Sequence, residues 1–206
     1  MTTMNHSPEE HASTARLEAF SDGVFAIAIT LLVLEIGVPH IAPGESLAVA
    51  VRHLWPSYFG YAVSFITIGV MWANHHAMFK DIDRQNHVLV VLNLFLLMTI
   101  SFLPFPTALL AEYLRDSDQR LTATLVYGST FLVIAIAFQL LWLYASSGRR
   151  LIDEHVSDAR VRSRTIRYLP GFVFYVVALP LAFVSPWISL AIYAGLALFF
   201  LLPMPE

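Results

Sequence analysis

Cysteine is absent from this chain of 206 residues, and charged side chains are scarce, at 13% of the total. Average soluble domains carry roughly 25% charged residues, so this chain has too few charges to cover a soluble surface. Hydrophobic residues make up 57% of the chain. The composition therefore excludes an ordinary soluble enzyme, a disordered chain and a disulfide-stabilised scaffold, and it predicts an integral membrane protein.

An excess of positive charge is also missing. Twelve Lys and Arg residues stand against 15 Asp and Glu residues, which leaves a formal net charge of −3. Nucleic-acid binding requires surplus cations for the phosphates, so we expect no nucleic-acid partner. The catalytic motifs H-E-x-x-H, G-x-S-x-G and G-x-x-x-x-G-K do not occur, and we expect neither an enzyme nor a bound cofactor.

Long apolar stretches dominate the chain instead. A hydrocarbon core of about 30 Å is crossed by about 20 helical residues. Continuous runs such as VLVVLNLFLLMTI lack the alternation of barrel strands. The sequence predicts an all-α membrane protein with a cytoplasmic tail over 1–15 and one transmembrane domain over 16–206. That domain contains six transmembrane helices, at 16–38, 56–78, 87–113, 121–144, 168–184 and 186–202.

Lysine and arginine determine the predicted orientation, because cytoplasmic loops are enriched in them. The amino-terminal side and the loops after spans two and four carry nine of these residues, and the opposite side carries three. We therefore expect a multi-pass protein of the inner (plasma) membrane with both termini in the cytoplasm. The polar loop over 146–167 has mixed charges, which fit either a solvated helix or a contact with anionic lipid.

The first span has ionisable residues near both of its ends. Arg16 and Asp22 lie at its start, and Glu35 lies at its outer end. An acid in a first helical turn is stabilised by the helix dipole, which is one interpretation of Asp22. A charge close to the bilayer is costly and usually paired, and Arg16 lies about 240° around the helix from Asp22. The partner of Asp22 is therefore expected on another helix.

The end of the second span offers candidate partners at the same depth: Trp72, Asn74, His75 and His76. The rings also fit an interfacial belt of amphipathic side chains. A metal site is disfavoured, because adjacent histidines point about 100° apart and no third ligand has a recognisable spacing. Hydrogen bonding to the first span is the favoured interpretation.

An apolar stripe lies between the charged ends of the first span, with the spacing i, i+4, i+7: Ile27, Leu31 and Leu34. Such a stripe faces lipid or core in most proteins, and a pore lining is the alternative. Thr30 lies near the same face, where its hydroxyl is either presented outward or bonded back to Ala26. Glu35, one turn beyond Leu31, is placed where an outer vestibule would begin.

Several of these segments together resemble a known family. The R-x-x-x-F-S-D motif at Arg16, Phe20, Ser21 and Asp22, the segment 72–76, Asn93 and the FLPFPT run at 102–107 are similar to the prokaryotic relatives of the lysosomal potassium channel of animals, the transmembrane protein 175 family. The resemblance covers nearly the whole chain. It implies a homotetrameric channel, permeable to potassium and other monovalent cations, whose first helix lines a central pore.

The resemblance also implies roles by position. Ile27, Leu31 and Leu34 would form a hydrophobic constriction with Thr30 as a polar layer, in place of the T-V-G-Y-G carbonyl filter that the sequence lacks. A network holding the pore helix would comprise Arg16, Phe20, Ser21, Asp22, Trp72, Asn74, His75 and His76, with one of the two histidines as the expected partner of the first-helix motif.

Two other functions remain open from the residues alone. One is a secondary cation transporter coupled to protons, and the other is a membrane scaffold without flux. Transporters place binding groups near the membrane midplane, whereas the midplane of the first span is apolar, which favours a channel.

Overall fold

The computed structural model describes residues 8–41 and 43–201, with side chains over 14–41 and 43–200. The described residues contain no β-strand beyond one isolated bridge, so the all-α prediction is confirmed. They form the α-helices α1 (Pro8–Leu31), α2 (Leu47–His53), α3 (Trp55–Phe79), α4 (His87–Ser101), α5 (Pro104–Tyr113), α6 (Arg120–Ser146), α7 (Asp158–Leu181) and α8 (Pro186–Leu201).

Three described segments are long and apolar enough to cross a membrane: Thr14–Glu35, His87–Tyr113 and Arg120–Arg149. The helices α2 and α3, bent by 45°, add a fourth span if they are taken together. The apolar helix α8 is shorter than a full span, and α7 begins with the charged segment DARVRSR. Length and hydropathy thus identify three or four spans among the described residues, and the count of six stays a prediction.

Two helix boundaries differ from the sequence-based ones. The helix α1 begins at Pro8, inside the segment predicted as a tail, of which residues 1–7 lie outside the described part. The helix α7 begins at Asp158 rather than near 168, because the Ser157 hydroxyl caps it by accepting a hydrogen bond from the Arg160 amide. The polar loop over 146–167 therefore divides into a connector and the first turns of α7.

The third predicted span consists of two helices. Prolines at 104 and 106 have no amide hydrogen to donate, so the α-helical ladder is interrupted after Ser101, and α5 starts with Pro104 in its first turn. The hydroxyl of Thr107 in α5 lies 2.8 Å from that of Ser64 in α3, and Ser64 Oγ lies 2.9 Å from Tyr127 Oη in α6. These buried hydroxyls join three helices.

The core is centred on α6, which packs against α4, α5, α7 and α8. Its fully buried side chains include Tyr127, Phe131 and Trp142. Gly128 permits a close approach of α8, since a Cβ at this position would lie 1.9 Å from Tyr193 Oη. The pore-helix candidate α1 packs against α3 and α4.

The α3–α4 and α6–α7 connections pair at one end of the bundle. The amide of Asp83 donates to the Leu151 carbonyl, and the amide of Asp153 donates to the Asp81 carbonyl, each at 3.0 Å. The Asp81 carboxylate is 1% exposed and faces Arg160 Nε at 3.0 Å and Arg164 Nε at 2.8 Å. These three side chains, the Asp81 cluster, attach the start of α7 to the end of α3.

Candidate functional site

The helix α1 has one buried face and one bare face. Its buried stripe follows helical spacing through Leu17, Ser21, Phe25, Ala28 and Leu32. On the opposite face, Ile27 is 61% exposed, Leu31 is 40% exposed and Leu34 is 71% exposed. The three residues predicted to form the constriction therefore share one face that no other described element of this chain covers.

The outer end of α1 tightens into a 3-10 turn over Leu32–Glu35. Side chains three residues apart eclipse in such a turn, so Leu34 lies directly beyond Leu31. Glu35 is rotated by about 120° from Leu34, because a 3-10 helix has three residues per turn. The prediction that Glu35 follows Leu31 by one α-helical turn is wrong for this reason, although Glu35 does lie at the outer end of the helix.

Thr30 occupies the bare face and bonds back into its own helix. Its hydroxyl lies 2.8 Å from the Ala26 carbonyl oxygen and 3.0 Å from that of Ile27. Of the two orientations left open by the sequence, the structure contains the one that bonds to Ala26. Because the hydroxyl hydrogen is used within the helix, Thr30 presents oxygen lone pairs to its surroundings.

The buried face of α1 is joined to α4 and α3 by a chain of neutral polar groups. The Asn93 amide donates to Ser21 Oγ at 2.9 Å, and Ser21 Oγ in turn donates to the Leu17 carbonyl at 2.8 Å. On the other side, Asn93 Oδ1 lies 2.9 Å from His75 Nε2 and accepts its hydrogen. Ser21, Asn93 and His75, here the Asn93 network, are all completely buried.

A second set of contacts joins α1 directly to α3 at Glu18 and Asp22, which lie in the third and fourth turns of α1 rather than in its first turn. Trp72 Nε1 donates to Asp22 Oδ1 at 2.9 Å, so the partner of Asp22 is the tryptophan. The expectation of a histidine partner is wrong for this carboxylate. His76 instead contacts Glu18, with Nδ1 and Oε1 2.5 Å apart, and its ring stacks on Trp72 with centroids 6.2 Å apart.

The structure thus brings some residues of the predicted network into contact and leaves others apart. Both histidines reach the first helix, His76 directly and His75 through Asn93. Arg16 and Phe20 are exposed, and neither hydrogen-bonds to a described residue through its side chain. Asn74 accepts a hydrogen bond from Tyr168 Oη at its backbone carbonyl, and it lines a cavity between α3, α6, α7 and α8.

Two members of these contacts, Asn93 and Glu18, are missing from the predicted site. Asn93 is the one amide in the apolar run at 88–100, and a polar side chain inside a membrane helix is itself a signal of a specific partner. Glu18 lies one helical turn before Asp22, on the side of α1 that faces α3. Among the residues that the structure describes, no three His, Asp or Glu side chains group as a metal site would require.

The sequence profile of the family described as "Endosomal/lysosomal potassium channel TMEM175" matches residues 16–104, which include both sides of the Asn93 network. A protein from Chamaesiphon minutus that is named a potassium channel is 46% identical over 97% of this chain and 98% of its own length. The chain belongs to the TMEM175 family. The resemblance seen in the sequence is confirmed.

The fold agrees with this assignment. A crystal structure described as a lysosomal potassium-selective channel TMEM175 homolog, also from Chamaesiphon minutus, superimposes with a TM-score of 0.84 at 45% identity, over 92% of this chain and 97% of that one. A zebrafish protein named an endosomal/lysosomal proton channel is 34% identical over 70% of this chain but 29% of its own length. These relatives are ion channels rather than enzymes, as expected from the sequence.

Proposed function

We propose that this chain is a potassium-permeable cation channel of the plasma membrane. Four copies surround a central pore, and the bare face of α1 from each copy lines it. The observation that carries the proposal is that bare face, held by a buried polar network on the opposite side of the same helix, in a chain similar to a named potassium-selective channel.

The six-span arrangement with both termini in the cytoplasm is part of this proposal. The helices α2 and α3 together, and α4 and α5 together, would each form one span, and α7 and α8 would supply the last two. At 1.5 Å per residue the 16 residues of α8 extend about 24 Å, which is slightly less than the hydrocarbon thickness. Flanking residues and a locally thinner bilayer accommodate such a mismatch at modest cost.

In a symmetric tetramer, one exposed side chain becomes a ring of four around the axis. Rings of Ile27, Leu31 and Leu34 would form an apolar constriction that gates by loss and recovery of water. Such side chains cannot replace the hydration shell of an ion, so selectivity over sodium should be modest. The Thr30 lone pairs would offer an ion its oxygen contacts within the constriction, and Glu35 would raise the cation concentration at the outer mouth.

The contacts between α1, α3 and α4 would act as the support of the pore. The width of a central constriction changes when its side chains move by a fraction of the pore diameter. The helix that carries these side chains must therefore be prevented from rotating about its own axis. The Asn93 network fixes Ser21, and the pair Trp72–Asp22 fixes the next residue of α1 against α3. Rotation of α1 would break both sets of hydrogen bonds.

Liposome flux tests the proposal. Purified protein in liposomes with a potassium gradient should give electrogenic potassium flux that requires no proton gradient. Ile27→Asn should increase this flux and lower the potassium-to-sodium ratio, because it removes apolar surface from the constriction. The matched control is Ile136→Asn, an isoleucine that is 38% exposed on α6 and is not part of the proposed pore. Equal flux in wild type and Ile27→Asn would remove Ile27 from the pore.

Proton conduction is a second candidate, because the zebrafish relative is named a proton channel. The same liposomes with a pH gradient measure it. The acids of the first span, over Thr14–Glu35, lie at Glu18, Asp22 and Glu35, and the turns between Asp22 and Glu35 are apolar apart from Thr30. A proton relay along this helix would therefore have no titratable side chain between Asp22 and Glu35. Strict coupling of potassium flux to protons would favour a transporter, and no flux at all would favour a scaffold.

A further inference from the structure

A cavity of about 80 Å³ lies on the far side of the bundle from α1, between α3, α6, α7 and α8. Its walls are largely apolar and include Met71, Phe138, Phe172 and Phe200. It extends along α7 from Arg167 to Tyr175, eight residues or about 12 Å of helix. The cavity forms a short, mostly apolar groove between these four helices.

Three polar residues line this groove at the end nearer the α3–α4 connection: Arg167 and Tyr168 of α7 and Asn74 of α3. The hydrogen bond from Tyr168 Oη to the Asn74 carbonyl places the two helices at the same level there. Neither the Arg167 side chain nor the Asn74 side chain makes a hydrogen bond or ion pair with any described residue. The acid of the adjacent loop, Asp81, is already occupied by Arg160 and Arg164.

We propose that this groove binds an anionic phospholipid. The phosphate would accept hydrogen bonds from the Arg167 guanidinium and the Asn74 amide, and one acyl chain would enter the groove beside Gly171. A guanidinium is always charged and its donors match phosphate geometry. Basic pockets between membrane helices at their cytoplasmic ends are suited to such headgroups.

The absence of a side chain at Gly171 gives the acyl chain its entrance. A Cβ added there would meet only the ring of Phe200, at 3.8 and 3.9 Å, so the backbone tolerates a larger residue. A leucine would extend beyond this Cβ into the groove and fill it. The groove and the headgroup site can therefore be removed separately, by Gly171→Leu and by Arg167→Gln.

Native mass spectrometry of detergent-purified protein tests the proposal, with phosphatidylglycerol as the probe and phosphatidylcholine as the neutral lipid. The wild type should retain phosphatidylglycerol in preference to phosphatidylcholine. Arg167→Gln should bind phosphatidylglycerol about tenfold more weakly, the loss expected for one charge-assisted hydrogen-bonding group. Gly171→Leu should also lose it, although its arginine is intact. The readout is independent of ion flux, so failure of the channel proposal leaves this test unaffected.

The matched control is Arg162→Gln, which removes an exposed arginine of the same helix that also has no partner among the described residues. Its phosphatidylglycerol binding should equal that of the wild type. An equal loss in Arg162→Gln and Arg167→Gln would mean that net surface charge attracts the lipid, and it would overturn the site. Displacement of phosphatidylglycerol by equimolar oleate would overturn the assignment to a phospholipid and indicate a free fatty acid.

Discussion

The Asn93 network and the Asp81 cluster perform the same structural task with different chemistry. Both join separate helices through a buried polar side chain, which is Asn93 in the first and Asp81 in the second. The Asn93 network uses only a hydroxyl, an amide and an imidazole, whereas the Asp81 cluster uses a carboxylate between two guanidinium groups. The first lies within the helices, more than one turn from their ends, and the second lies where α3 ends and the arginine-rich start of α7 meets it.

Desolvation explains the difference. Moving an ion out of water costs several kcal/mol even after relaxation, whereas a neutral group that keeps its hydrogen bonds is accommodated at low cost. Arg160 is 57% exposed, so the Asp81 cluster keeps contact with water on one side. Depth in the membrane thus selects neutral groups for the Asn93 network and permits charges in the Asp81 cluster. A single substitution should therefore cost more free energy of unfolding in the Asp81 cluster than in the Asn93 network.

The largest expected loss of stability comes from Asp81→Asn. The change leaves Arg164, which is 13% exposed, without a counter-charge, and breaking such a buried pair costs about 3–5 kcal/mol. Unfolding in mixed micelles by titration with SDS measures the free energy. Asp118→Asn, an exposed acid of the α5–α6 loop, is the control and should be close to wild type. A similar stability for the two variants would show that the charges of the Asp81 cluster are solvated.

Asn93→Leu should come next, with a loss of about 1–3 kcal/mol, because it removes the amide that donates to the buried Ser21 oxygen and leaves the His75 Nε2 hydrogen without an acceptor. The same SDS titration applies. Ser101→Ala on the same helix removes an exposed hydroxyl that bonds only its own backbone, and it should change little. If Asn93→Leu were as stable as Ser101→Ala, the Asn93 network would contribute nothing to helix packing.

A smaller effect is expected for Trp72→Phe, which removes the indole N–H that donates to Asp22. Trp72 is 45% exposed, so water replaces part of the bond and the cost is about 1 kcal/mol. Trp55→Phe is the control, since Trp55 has similar exposure and stacks on Trp187. The flux assay separates positioning from stability: Trp72→Phe should alter flux in folded protein, and Trp55→Phe should not. Unchanged flux in both would restrict the Trp72–Asp22 hydrogen bond to helix packing.

The smallest effect is expected for Arg84→Gln. Its bond to Glu154 joins the α3–α4 and α6–α7 connections near the Asp81 cluster, but the side chains are 42% and 76% exposed. Exposed ion pairs contribute about 0–1 kcal/mol and weaken with salt. The unfolding midpoint should therefore change little and become identical to wild type at high ionic strength. A loss of stability that is as large as that of Asp81→Asn and independent of salt would contradict the conclusion that burial makes the Asp81 cluster more stabilising than the Arg84–Glu154 pair.

Much of the bundle follows from local patterns that act over one or two turns. The apolar run at 88–100 predicts a membrane helix, and Pro104 and Pro106 predict its interruption, because both effects depend on neighbouring residues only. The stripe of Ile27, Leu31 and Leu34 follows from helical spacing in the same way, and Leu34 keeps the line because the 3-10 turn eclipses it with Leu31. The same 3-10 turn rotates Glu35 away from this line, and no pattern in the sequence predicts the turn.

Partners between helices do not follow from such patterns. Trp72, His75 and His76 lie within one turn and a third of α3, yet Trp72 reaches Asp22, His76 reaches Glu18 and His75 turns inward to Asn93. Spacing places all three at one depth, and only the rotation of α3 against α1 and α4 assigns each to its partner. That rotation depends on side chains packed along the whole length of the helices.

The sequence by itself determined the membrane setting, the all-α class and the residues of the α1 stripe, because hydropathy and helical period are properties of consecutive residues. The tertiary structure alone decided which face of α1 is bare, that Asn93 connects the two sides of the network, and that Arg167 and Asn74 meet at one groove. Each of these depends on which helices become neighbours, and that is set by packing across separations of 18 to 94 residues rather than by any local run.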